Sequence, residues 1–288
     1  MKEVRNKQGG WIWGAALAGT ALAAAALWQG LTVRRYVLET DKLTAPVRLA
    51  LLSDFHGARY GQGQSRLLAA VDRLEPDAVV MPGDFYDENH TDNSTDALLS
   101  ALARRHSCFF VRGNHEWRTG RSDQLREKLE GWGIRVLAGT GELLQVRGQT
   151  LRVCGVDDPD LCGERGWLEQ FQACQALTGD GTYSLLLSHR PELTQYYRAS
   201  GFDLVLAGHA HGGQVRIPGV LNGLAAPHQG FFPDYAGGRY RLSGTELIVG
   251  RGLSRDLRVR VFNPPELVVV ELTPNKENDS NGSGASGR

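Results

Sequence analysis

The feature that most constrains this chain is a recurrence: short β-prone apolar runs that each break off into a cluster of Asp, His, Asn or Gly. Val47 to Leu52 leads into Ser53-Asp54-Phe55-His56, Ala78 to Met81 into Gly83-Asp84, and Cys108 to Val111 into Gly113-Asn114-His115-Glu116. Tyr183 to Leu187 delivers Ser188-His189, and Leu204 to Ala207 delivers Gly208-His209-Ala210-His211. Nearly continuous apolar runs of this length read as buried strands. Leu67 to Leu74 and Ala97 to Arg104 show helical apolar spacing, so the order strand, helix, strand, helix, strand predicts parallel βαβ units. Polar groups in such sheets gather at the carboxyl ends of the strands. Glu142 to Val146 and Leu151 to Val156 read as a hairpin, Trp167 to Leu177 as a helix, and Glu246 to Val249 and Glu266 to Leu272 as late strands.

Five of the eight histidines, His56, His115, His189, His209 and His211, stand at these strand ends, with Asp54, Asp84 and Asn114 in equivalent positions. Singly, each has an ordinary explanation, since Asp after Gly is a common turn former or helix cap. Five such clusters in succession call for a metal site instead. Imidazole nitrogen and carboxylate oxygen suit zinc, manganese or iron, and Cys108, Cys154, Cys162 and Cys174 have no zinc-finger spacing. Residues two apart in extended chain face the same way, so Asp54 with His56, and His209 with His211, are each expected to reach one site. Asp84, alone on the middle strand, is the natural bridge between two metals.

At the N-terminus, residues 11–31 carry no charged side chain and have Trp11, Trp13 and Trp28 near their ends, which predicts a transmembrane helix or signal anchor after a short tail, residues 1–10. On that reading residues 32–46 are a linker, 47–273 the catalytic domain, and 274–288, rich in Asn, Ser and Gly, a disordered tail. The short basic N-terminal tail favours a single-pass protein with its catalytic domain outside the cytoplasm. The formal net charge is zero, so no nucleic-acid partner is expected from bulk electrostatics.

Asp54-x-His56, Gly83-Asp84-x-x-Asp87, Gly113-Asn114-His115-Glu116, His189 and Gly208-His209-x-His211 together resemble the signature of the calcineurin-like metallophosphoesterases. The extended run through Gln214, the Arg251-Gly252-Leu253 and Phe262-Asn263-Pro264-Pro265-Glu266 segments and the apolar N-terminus resemble a narrower bacterial subgroup. That subgroup holds the YkuE and YaeI type of phosphodiesterase and the UDP-2,3-diacylglucosamine hydrolases. The resemblance implies an α/β (α+β) fold, a four-layer αββα sandwich of two mixed sheets. It also implies that Asp54, His56, Asp84 and His211 hold one divalent metal, and Asp84, Asn114, His189 and His209 the other.

Two adjacent cations acidify a shared water into a bridging hydroxide and neutralise charge on the phosphoryl oxygens, so no protein nucleophile is needed. His115, beside a ligand but assigned to neither metal, is the expected catalytic residue, steadying the transition state or protonating the leaving oxygen. Asp87 and Glu116 are expected to fix imidazole orientation. Arg112, Arg190 and Arg251 are candidate clamps for a second phosphate, and His228 reads as a loop residue. The leading expectation is a metal-dependent hydrolase of a phosphodiester or pyrophosphate on a lipid or cell-envelope substrate. A phosphodiesterase or monoesterase of broad specificity on soluble substrates is the alternative, and a non-catalytic scaffold the remote one.

Overall fold

Residues 17–255 and 259–275 are described in the computed structural model. The apolar runs fold as strands whose alternate side chains serve different cores. In β2 (Val47–Leu51), Leu49 and Leu51 join one cluster while Ala50 joins another. β2 pairs in parallel with β3 (Ala78–Pro82), β3 with β4 (Cys108–Val111), and β4 with β5 (Arg135–Val136). Their outward residues pack on α2 (Ser65–Asp72), α3 (Asn93–Ala103) and α5 (Ser122–Gly131) through Leu67, Val71, Leu98, Leu102, Leu125 and Leu129.

A second six-stranded sheet faces the first, in the order β12 (Gly238–Leu242), β13 (Thr245–Val249), β9 (Leu204–Ala207), β8 (Tyr183–Leu187), β7 (Gln149–Gly155) and β6 (Thr140–Val146). β13, β9, β8 and β7 run parallel, with β12 and β6 antiparallel at the edges. Leu185, Leu187, Leu204 and Leu206 meet Leu49, Leu51, Val80 and Phe109 between the sheets. On its outer face Leu186, Val205 and Val249 cover α6 (Pro159–Gln175) and α7 (Thr194–Tyr197) through Trp167, Phe171 and Tyr197. The result is the mixed two-sheet sandwich with helices outside. β2, β3, β4, β8 and β9 deliver their carboxyl ends toward one edge of it.

The first sheet is longer than the sequence implied. β14 (Glu266–Pro274) lies antiparallel to β2, and β1 (Thr32–Thr40) adds in parallel to β14, so the expected linker is strand through Thr40. The expected disordered tail begins inside β14 at Pro274, and residues 276–288 lie outside the described ones, as does the tail 1–10.

The membrane reading does not stand. No helix among the described residues is long and apolar enough to cross a membrane. The described part of α1 covers residues 17–26. Beyond it the chain is tied to the sandwich: Phe262 N–H donates to the Ala26 carbonyl at 2.7 Å, Gln29 Nε2 donates to the Arg260 carbonyl at 3.1 Å, and Leu31 packs on the helix-side core. The single-pass location and the membrane partner are corrected accordingly; residues 11–16 lie outside the described residues.

Candidate metal centre

The expected ligands leave their strands through tight turns, not as extended chain. Asp54, His56, Asp84, His209 and His211 all have φ between 47° and 67°. Left-handed backbone costs an L-residue roughly 1–2 kcal/mol, and five such residues in one place mark a site where the surroundings enforce geometry. The equal-facing argument for residues two apart therefore fails for one pair: Asp54 and His56 share a neighbourhood, but His209 and His211 part company.

Donor atoms of Asp54, His56, Asp84 and His211 lie within 4.8 Å of one another, and so do those of Asp84, His189 and His209. Asp84 is common to both groups. Its Oδ2 is 3.0 Å from His189 Nε2 and 3.7 Å from His56 Nε2, so one oxygen faces both. Asn114 Oδ1 is 3.2 Å from His189 Nε2 and completes the second group.

Close approach of turns brings this about. A Cβ on Gly113 would stand 2.3 Å from Asp84 Oδ1, and one on Gly208 2.6 Å from Asp54 Oδ2. The carboxylates are aimed by backbone donors: Asp84 Oδ1 accepts from His115 N–H and Asp54 Oδ1 from His209 N–H, both at 2.8 Å. Three of the imidazoles are likewise held by their Nδ1, whereas His209 turns Nδ1 toward His189 Nε2 at 3.0 Å. His189 Nδ1 lies 2.7 Å from the Pro82 carbonyl, His56 Nδ1 2.9 Å from Asp87 Oδ2, and His211 Nδ1 3.3 Å from Ser254 Oγ. That leaves Nε2 of each facing inward.

The donor set fits divalent cations. Asp54 Oδ2 and His56 Nε2 are buried without a protein partner, an arrangement that costs free energy unless a cation satisfies it. The electrostatics agree. Burial disfavours a charged His189, yet the Asp84 and Asp54 carboxylates hold its imidazolium up at about 10, a sign of unmet negative charge. Burial, with the neighbouring Asp84 charge, raises Asp54, whereas in Asp84 the effect of burial is outweighed by His189 and His56, which drive it well below the carboxylate range.

The remaining expected residues divide. Asp87 Oδ2 sits between His56 Nδ1 and His115 Nδ1, at 2.9 and 3.0 Å. His115 borders the centre, its ring 4.5 Å from that of His56; burial lowers it, but Asp87, Asp84 and Glu88 prevail and hold it at about 9. Glu116, fully buried, touches no imidazole. Its oxygens instead accept from the N–H groups of Asp84, Phe85, Tyr86 and Gly113 at 2.7 to 2.9 Å, fastening α4 (Asn114–Arg118) to the end of β3.

The expected clamps are committed elsewhere. Arg112 is paired with Asp157 and Asp123, Arg190 with Asp158 and Asp160, and Arg251 faces Glu266. His228 is not a mere loop decoration: its Nδ1 is 2.8 Å from His209 Nε2. Sequence reasoning missed Ser254 and read His228 as a loop residue because neither ends one of the long apolar runs. Their only signal is proximity to the late Arg251-Gly252-Leu253 and Gly- and aromatic-rich segments.

A two-sheet sandwich with this pair of Asp, His and Asn groups at its strand ends defines a binuclear metallohydrolase. Residues 47–213 match the family model for the calcineurin-like phosphoesterases, and the chain belongs to that family of metal-dependent phosphoric ester hydrolases. It is 30% identical to an uncharacterized metallophosphoesterase of Aquifex aeolicus, over 84% of this chain and 92% of that protein. It is 26% identical to the phosphodiesterase YaeI of Escherichia coli, over 85% of this chain and 88% of that one. With the uncharacterized metallophosphoesterase YkuE of Bacillus subtilis the identity is 23%, over 91% and 94%.

Proposed function

We propose that this protein hydrolyses a phosphodiester, with Asp54, His56, Asp84 and His211 holding one divalent cation and Asp84, Asn114, His189 and His209 the other. The observation that carries the reading is the Asp84 carboxylate, one oxygen of which faces both donor groups. Two cations bound there supply an acidified water and neutralise charge on the phosphoryl oxygens.

The chain's own residues do the rest. His115 donates a proton to the departing alkoxide, and Asp87, 3.0 Å from its Nδ1, fixes the ring with Nε2 toward the substrate side. Arg118, one helical turn on, has its Nη1 3.2 Å from His115 Nε2, is exposed, and has no carboxylate partner among the described residues. It is suited to a non-bridging phosphoryl oxygen. Glu116 keeps the backbone under Asp84 and Asn114 rigid, so the two groups stay in register.

Between the finer readings, the phosphodiester is favoured over the pyrophosphate of UDP-2,3-diacylglucosamine. Arg112 and Arg190 are bound to carboxylates, and Arg251 is buried facing Glu266, which disfavours their use on a second phosphate. The lipid and envelope reading drew on the apolar N-terminus, which forms no spanning helix among the described residues. The similarity to the phosphodiesterase YaeI supports the same choice. Turnover of bis(4-nitrophenyl) phosphate, 4-nitrophenyl phosphate and UDP-2,3-diacylglucosamine by the manganese-loaded protein tests it. The diester is expected to lead; preferential cleavage of the pyrophosphate overturns the proposal.

A further inference from the structure

His209 is turned the opposite way from His56, His189 and His211. Its Nδ1 lies 3.0 Å from His189 Nε2, and its Nε2 points away from the centre to His228 Nδ1, at 2.8 Å. A neutral imidazole carries one N–H and one lone pair, so the group that meets one nitrogen decides what the other can offer.

The proton assignment starts from a neighbour that can only accept. The Pro82 carbonyl is 2.7 Å from His189 Nδ1, which therefore carries the hydrogen and leaves a lone pair on Nε2. For His209 to bring a second lone pair to the same point, its own hydrogen must sit on Nε2, where it meets His228 Nδ1. The opposite tautomer places the hydrogen on Nδ1, donated to His189, and closes His209 to a cation. Glu192 also brings a donor atom within 4.8 Å of both rings, but a further cation among these three would require lone pairs from both nitrogens of His209, which the neutral ring lacks.

The fold holds His228 in place through strained and fastened backbone. β10 (Ala225–Ala226) and β11 (Gly230–Phe231) pair as a short antiparallel hairpin, and His228 stands in its turn at φ 58°, a left-handed conformation unfavourable to an L-residue. The hairpin is tied to the loop that carries His209 and His211, because Leu224 N–H donates to the Gly213 carbonyl at 2.9 Å and Phe232 N–H to the Leu224 carbonyl at 2.8 Å. On the other side of the turn Tyr235 N–H donates to Gln229 Oε1 at 2.9 Å.

We propose that His228 is a positioning residue for the second metal group, its Nδ1 accepting the His209 Nε2–H and so holding His209 in the tautomer whose Nδ1 lone pair faces Asp84, Asn114 and His189. The inference rests on the two-metal reading and adds to it a residue outside the ligands themselves.

The test is manganese(II) binding to the metal-free chain, followed by the spin-resonance signal of the free ion, for wild type, His228→Gly and His228→Asn. Glycine accepts the left-handed turn and removes the ring; asparagine also tolerates the turn and returns an acceptor oxygen in place of Nδ1. Wild type is expected to bind two equivalents. In His228→Gly one dissociation constant is expected to stay within about twofold and the other to rise by about 10- to 100-fold, the usual effect of losing a group that orients a metal-bound imidazole. His228→Asn is expected to regain most of that affinity. Two constants unchanged or equally weakened in His228→Gly, or a His228→Asn variant as weak as His228→Gly, overturns the proposal. A third equivalent in wild type that His228→Gly loses places a cation between the two rings and overturns it as well. If wild type binds fewer than two equivalents, the two-metal reading falls and the inference with it.

Discussion

Glu116 offers its two oxygens to four backbone N–H groups in a fully buried setting, so its removal strands donors, not merely a charge. Leaving a buried donor unmet costs about 1–3 kcal/mol. Glu116→Ala is accordingly expected to lower stability by roughly 3 kcal/mol or more, read from the urea midpoint at constant slope. A loss below about 1 kcal/mol would show that the turn relaxes without it. His115→Asn has a different expected signature: metal content intact, turnover on a poor leaving group down by about 10²-fold or more. Unchanged turnover would remove His115 from the chemistry. At this scale the sequence exposed the residues but not every task. Asp54, His56, Asp84, His189, His209 and His211 were legible because each ends an apolar run. Glu116 was misread as a partner of imidazole because only the fold brings it under the β3 turn. Arg112, Arg190 and Arg251 looked free because their carboxylate partners are up to tens of residues distant in the chain.

At the scale of elements, the site depends on turns that pass unusually close. Gly113→Ala places a methyl 2.3 Å from Asp84 Oδ1, and the backbone atom of Asp84 N is only 2.8 Å from the same point. The variant is expected to lose metal affinity and melt earlier, checked by elemental analysis and a thermal scan; wild-type metal content would refute the contact's importance. The strands next to the sheet edges behave differently. Glu246 on β13 is held low by Arg239 and Arg241. In Glu271 on β14 partial burial works upward, but Arg35 and Arg48 prevail and keep it low. A folded pKa below the unfolded value means stability that is present above the unfolded pKa and lost as pH falls through the folded one. The stability advantage of wild type over Glu246→Gln is therefore expected at neutral pH, shrinking as pH drops below about 4.5 and weakening with salt. An advantage that grows on acidification would contradict the pairing. β1 was read as a linker for a related reason: Thr32–Thr40 is a largely exposed edge strand, so Arg34, Arg35 and Glu39 mask its pattern. The central strands, buried on both faces, were legible almost to the residue.

For the whole molecule, the sandwich stands on apolar packing in three clusters while the buried carboxylates at its edge need positive charge. Ligands that bind only the folded state stabilise it by mass action, by about 2.7 kcal/mol at one hundred times Kd. Chelation is expected to lower Tm measurably and readdition of metal to restore it. An unmoved Tm would mean that the donor groups tolerate each other without cations. The apolar N-terminal run shows where whole-molecule inference from sequence fails: hydropathy registers the absence of charge, but not the contacts that Ala26, Gln29 and Leu31 make with the sandwich. The central claim is that one carboxylate joins two metal sites. Its most direct test is metal stoichiometry by elemental analysis of wild type and Asp84→Ala, both kept folded by circular dichroism. Two equivalents of divalent metal per chain in wild type and loss of both in the variant are expected. Two equivalents retained in Asp84→Ala, or a single one in wild type, would contradict the account.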